Sequence, residues 1–201
     1  MQQPRYTSNG TKSQRATRQT PRERRAPRPL DAARLQELAL AYVARFATSG
    51  AKLEDYLRRK LRERGWEGDD PARPDLIAAR FAELGYIDDE AYARAKSGSL
   101  LRRGYGARRV RQALGQAGIA PDIQEDIAAG EAERRHAALA LARKRRFGPF
   151  GQGEPDRDLR AKQVSAMLRA GHDLDFAKKM VDAATEAAAE EWAAACDEEQ
   201  Q

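Results

Sequence analysis

The chain has 201 residues, of which 34% are charged and only 6% aromatic, with a net charge of +6 and a single cysteine, Cys196. That length suits one or two domains, or an array of small modules. One cysteine excludes an internal disulfide and a cysteine-based zinc site and suits a reducing, cytoplasmic compartment. No apolar run approaches the roughly 20 residues of a bilayer span, and the N-terminus lacks the apolar stretch of a secretory signal.

The charge is unevenly placed. Residues 1–29 hold Arg5, Lys12, Arg15, Arg18, Arg22, Arg24, Arg25 and Arg28 against one acid, Glu23, a net of +7; the rest of the chain nets −1. Four prolines and almost no apolar side chains leave this segment nothing to bury, which predicts a disordered basic tail over residues 1–30. Two roles stay open for it: a solubilising extension, or an arm that attracts nucleic acid.

Ordered structure is expected from Asp31, a candidate N-cap. Leu35, Leu38, Ala39, Tyr42, Val43 and Phe46 follow at helical spacing. After Ser49 and Gly50, Leu53, Leu57 and Leu61 recur every fourth residue, and Gly65 closes that helix. A loop over Glu67–Pro74 leads to a third helix bearing Leu76, Ile77, Phe81 and Leu84, ended by Gly85. The next unit starts at Asp88 or Asp89, either of which could cap a helix through about Arg103. Val110, Ala113, Leu114 and Ala117 stripe the following helix, Gly118 ends it, and Pro121 opens a short one with Ile123 and Ile127. The last unit has a long helix over Glu131–Arg146, a Gly/Pro loop over Phe147–Pro155, a helix with Val164, Met167 and Leu168 closed by Gly171, and one with Phe176, Ala177, Met180, Val181 and Ala184. Thr185–Ala195 is expected to extend that final helix before an acidic end.

These units repeat. Leu57, Val110 and Val164 lie 53 and 54 residues apart, and the closing glycines Gly65, Gly118 and Gly171 are each separated by 53. No segment alternates apolar and polar residues as a strand would. The predicted fold is all-α: three tandem three-helix modules over residues 31–86, 87–130 and 131–195, forming an elongated curved array.

The middle module carries the candidate binding surface. Between Ala91 and Pro121 there is no acidic residue, but there are seven basic ones: Arg94, Lys96, Arg102, Arg103, Arg108, Arg109 and Arg111. Surface helices ordinarily interleave acids and bases, so a one-sign interval points to a binding face rather than a solvated one. Tyr105, between Gly104 and Gly106, either packs down on its module or stacks on a partner. The bases Arg143–Arg146 end a helix, where the macrodipole alone favours them, and Arg58–Arg64 is interrupted by Glu63. Asp69-Asp70 and Asp88-Asp89 each precede a helix and are expected as caps. His136 and His172 have no partner at ligand spacing and are expected to be structural. Gly148–Gly153 lacks the lysine and hydroxyl of a phosphate loop. No nucleophile–base pair, metal cluster or cofactor fingerprint is present, so a non-enzymatic protein without cofactor is expected.

The segment Gly85–Ile119, GYIDDEAYARAKSGSLLRRGYGARRVRQALGQAGI, resembles the signature of the RecX family of regulatory proteins. The likeness rests on the Asp-Asp start, Tyr92-Ala93, the turn Gly104-Tyr105-Gly106, the Arg-rich helix and its Gly118-Ile119 close. Leu57, Leu61 and Gly65 also match. The likeness spans about residues 35–185. The third module departs from it: Ala170-Gly171-His172 stands where the family usually has Arg-Gly-Phe. The resemblance implies three tandem three-helix repeats that bind in the groove of a RecA-type recombinase filament and inhibit its ATPase, strand exchange and co-protease functions. That places the chain in DNA recombination, repair and the SOS response. Single- or double-stranded DNA is a second expected partner; a membrane is not, and the chain is expected as a monomer. The alternative is a sequence-independent nucleic-acid-binding protein acting through the basic tail and the basic helix face.

Overall fold

The computed structural model describes residues 28–153 and 156–196. Most of the expected basic tail, residues 1–27, and the acidic end after Cys196 lie outside these. The described residues form ten α-helices and no β-strand, and no helix among them is long and apolar enough to cross a membrane. The first module comprises α1 (Ala32–Val43), α2 (Gly50–Arg64) and α3 (Pro74–Glu83). The second comprises α4 (Asp89–Arg102), α5 (Ala107–Gly115) and α6 (Pro121–Asp126). The third comprises α7 (Glu131–Arg145), α8 (Arg157–Arg169), α9 (Leu174–Val181) and α10 (Glu186–Ala194). All-α modules in tandem are what the periodicity predicted.

Each module has its own core, built mostly from the expected stripes. Leu35, Ala39, Leu53, Leu57, Ala78 and Phe81 fill the first. Ala93, Leu100, Leu101, Val110, Leu114 and Ile119 fill the second. Val164, Met167, Ala177, Met180 and Val181 join α7 and α10 in the third. Leu114 is 2% exposed. Trimming it to alanine should cost about 2–5 kcal/mol, the transfer term plus the cavity left behind; urea unfolding measures it, and a loss below about 1 kcal/mol would mean that the site collapses around the void.

Some expectations need correction. Phe46, Leu76 and Leu84 were placed on buried stripes but are more than half exposed; Phe46 lies beyond the end of α1, so its helical spacing no longer aims it inward. Asp69 and Asp70 do not cap α3, whose N-cap is Arg73; the Asp70 carbonyl instead accepts from Trp66 Nε1 at 2.7 Å. The loop after α7 holds a 3-10 turn over Gly148–Phe150. Thr185–Ala195 does not prolong α9. Thr185 caps a separate α10, its side chain accepting from Ala188 N at 3.1 Å, so the third module carries a fourth α-helix, which packs on α7. Order also begins earlier than Asp31: Leu30 is fully buried.

The modules are joined through their second helices, α2, α5 and α8, which meet end to end. At the first seam Ser49 accepts from Lys52 N to cap α2 while its hydroxyl donates to Ala117 O at 2.5 Å, at the far end of α5. Asp88 caps its own helix α4 through Ala91 N, whereas Asp89 accepts from Gly50 N at 2.9 Å and so caps α2 from the neighbouring module. At the second seam Gly106 N donates to Ala170 O (3.0 Å) and Arg108 N to Gly171 O (3.2 Å). In the first module the carbonyl of Gly65 accepts from Leu30 N at 3.0 Å, so the extended segment Arg28–Leu30 covers the position that helix N-termini cover at the other two closing glycines.

Candidate partner-binding surface

The basic stretch of the second module lies on the end of α4, the turn after it and the outer face of α5. Helix α4 stops at Arg103 because Gly104 takes a left-handed φ of +85°, a conformation that side chains with a Cβ resist. Gly104 is buried against the backbone of α7; a Cβ there would stand 2.8 Å from Leu141 N. Its carbonyl meets His172 Nε2 at 3.0 Å. Burial pushes the His172 pKa down, which favours the neutral ring at this contact. The turn is therefore wedged between α7 and the end of α8, and it presents Arg102 and Arg103 on one flank and α5 on the other. Helix α5 turns Val110 and Leu114 inward, which leaves Arg108, Arg109 and Arg111 exposed.

The structure divides the eight residues singled out from sequence. Arg94 is ion-paired with Glu90 one turn earlier on α4, so the acid-free interval was broken from just outside its own boundary. Lys96 is half-buried. Arg102, Arg103, Arg108, Arg109 and Arg111 have no carboxylate within 4.0 Å among the described residues. Tyr105 is 36% exposed, with the Arg103 guanidinium 5.7 Å from its ring centre, so it shares the edge instead of filling the core.

Two findings were not legible in the sequence. Arg108 is partly structural: its Nη2 donates to Leu168 O at 2.6 Å across the seam. Arg169, at the end of α8, joins the surface from the third module. With Arg108, Arg109 and Gln112 it lines a cleft beside Gly171, and it too lacks a carboxylate partner among the described residues. The clue was available, since Arg169 stands two residues before a closing glycine whose equivalent ends each second helix.

Electrostatically the arrangement is an unneutralised row of five arginines joined by Arg169 at the seam. The end of α4 places carbonyls beneath Arg102 and Arg103, and the dipole there further favours cations. Such a row attracts acidic protein or phosphate by long-range steering. Among the described residues no group of His, Cys, Asp and Glu is placed to hold a metal ion.

Comparison with known proteins places the chain among known relatives. Residues 88–126 match the model for the RecX second three-helix domain. The chain is 30% identical over 165 residues to a regulatory protein RecX of Myxococcus xanthus, covering 78% of this chain and 88% of that one. It is 33% identical over 141 residues to the regulatory protein RecX of Agrobacterium fabrum, covering 68% and 76%. Its fold resembles the crystal structure of RecX from Lactobacillus salivarius, with a TM-score of 0.57 and 19% identity over 74% of this chain and 93% of that one.

Proposed function

Because this chain belongs to the RecX family of regulatory proteins, we propose that it binds RecA-type recombinase filaments and lowers their ATPase and strand-exchange activity. In this reading the arginine edge at the seam of the second and third modules is the contact surface. The observation that carries it is the clustering there of arginines without carboxylate partners, whereas ten of the seventeen other described arginines are ion-paired. A surface that nature leaves unneutralised is one that a partner neutralises.

The test is a comparison of affinities. The protein should bind a recombinase filament on single-stranded DNA at least about tenfold more tightly than the same DNA alone, a difference of about 1.4 kcal/mol. Equal affinity for both would favour the second reading, sequence-independent nucleic-acid binding, which the eight bases in residues 1–29 support. Those bases carry a separate expectation. Deleting residues 1–27 should weaken binding to bare DNA and flatten its dependence on salt, because each phosphate neutralised releases counterions. Circular dichroism should show the helix content of the three modules intact.

A further inference from the structure

The first module carries a groove that takes no part in the arginine edge. It opens between the start of α1, the loop after α2 and α3, with a volume of about 400 Å³. Leu35, Trp66, Ile77 and Phe81 make its apolar lining, and Leu76, more than half exposed, lines it too. The loop holds one wall in place. Trp66 Nε1 donates to Asp70 O at 2.7 Å, and Gly68 lies so close to the indole that a Cβ there would stand 2.6 Å from it. The charges along the groove do not cancel. Arg73 is paired with Asp75 and Arg80 with Glu83. Asp69 and Asp70, both exposed, have no basic partner within 4.0 Å among the described residues. An apolar groove beside two unpaired carboxylates fits an aromatic side chain with a base next to it.

The chain itself holds such a pair. Within residues 1–27 Tyr6 is the one aromatic residue, Arg5 precedes it, and seven bases stand against a single acid. The described chain also starts beside the groove. Leu30 N donates to Gly65 O and Glu67 N to Leu30 O, on either side of Trp66, and Ala32 lines the groove. The segment Thr7–Pro27 spans about 25 Å as a flexible chain, enough to bring Tyr6 back to that wall. A tether of this kind gives an effective concentration of about 1 mM, so a contact of only millimolar affinity is filled about half the time. We propose that the groove receives Arg5 and Tyr6 of the same chain. The ring lies among Trp66, Leu76 and Ile77, and the guanidinium meets Asp69 and Asp70. Docking closes the basic tail into a loop on the first module and withholds it from other anions. A nucleic acid is refused by the groove, because its phosphates would face the two carboxylates. The docking rests on neither reading of the function; its effect on DNA binding rests on the nucleic-acid role of the tail given above.

Two measurements test it. In the first, the indole Nε1–H signals of Trp66 and Trp192 are followed in the 15N-labelled full chain. Tyr6→Ser, a change outside the three modules, should move the Trp66 signal and leave Trp192 in place. A peptide of residues 1–10, added to the Tyr6→Ser chain, should return Trp66 saturably toward its wild-type position, and the same peptide carrying Tyr6→Ser should not. No Trp66 shift on Tyr6→Ser, or no saturable return, overturns the proposal. The wild-type position should also hold on tenfold dilution. A signal that reverts on dilution places the tail of a second copy in the groove and overturns the proposal as well. In the second, Leu76→Gln removes an exposed apolar contact of the groove without changing charge. In that chain Tyr6→Ser should no longer move Trp66. Binding to bare single-stranded DNA at low salt should tighten about two- to threefold, because a tail docked for half to two-thirds of the time loses that much apparent affinity. Unchanged DNA affinity there means that the docked tail still binds DNA, and overturns the withholding. If wild type and Leu76→Gln both fail to bind bare DNA while Tyr6→Ser still moves Trp66 in the wild-type chain, the nucleic-acid role of the tail falls and the docking stands.

Discussion

Reversing Arg102, Arg103 and Arg109 to glutamate should abolish inhibition of the recombinase ATPase and leave the protein folded. All three side chains are exposed. Arg109 makes one side-chain hydrogen bond, to Gln112 on its own helix, and Arg103 one, to the Ser99 carbonyl. Arg108 is left out deliberately, because its bond to Leu168 O ties the seam and its reversal would mix packing with binding. Replacing attraction by like-charge repulsion costs more than removing the charge. The triple reversal should therefore weaken filament binding by about 100-fold or more, equivalent to about 2.7 kcal/mol. The matching glutamine variant should fall between it and wild type, with a deficit that shrinks as salt rises. Full inhibition by a folded triple-glutamate protein would move the contact surface to the first or third module.

A large effect on stability should come from Gly171. It sits at φ +98°, and a Cβ there would stand 2.5 Å from Arg109 N and 2.7 Å from Arg109 Cβ. Gly171→Ala therefore combines left-handed strain with a clash against backbone that cannot swing away. Together these should cost about 2–5 kcal/mol, read as a lower urea midpoint. Gly65→Ala is the control. It has a similar φ of +80° but nothing within 4 Å of its Cβ position, so it should cost only the backbone term, about 1–2 kcal/mol. Equal costs for the two would mean that the second seam yields, and that the end-to-end contact of α5 with α8 contributes little. If the seam is tight, Gly171→Ala should also weaken filament binding, because it separates Arg169 from Arg108 and Arg109.

How far the candidate site was legible depends on the range of the interaction involved. Arg102, Arg103, Arg108, Arg109 and Arg111 could be singled out from charge alone, because exposed arginines on an amphipathic helix remain exposed whatever the helix packs against. Arg94 could not be excluded from the same list until the pairing with Glu90 was visible. Arg169 could not be added until α8 was seen to end against α5.

Most of the helices and their order follow from the sequence by itself, because each depends on residues within about one turn. Leu53, Leu57 and Leu61 make a stripe at any place in the fold, and Gly65, Gly118 and Gly171 end their helices through local backbone freedom. The repeat spacing carries that local logic to three modules and hence to an array. The tertiary structure alone decided how the modules join. Ser49 and Ala117 are 68 residues apart, as are Gly104 and His172, and Gly50 and Asp89 are 39 apart. No periodicity registers such pairs. Asp88 and Asp89 look interchangeable as caps, and so they are locally. What assigns one to its own helix and the other to its neighbour's is which backbone N–H groups lie unsatisfied within reach, and that is a property of the packed seam rather than of the segment.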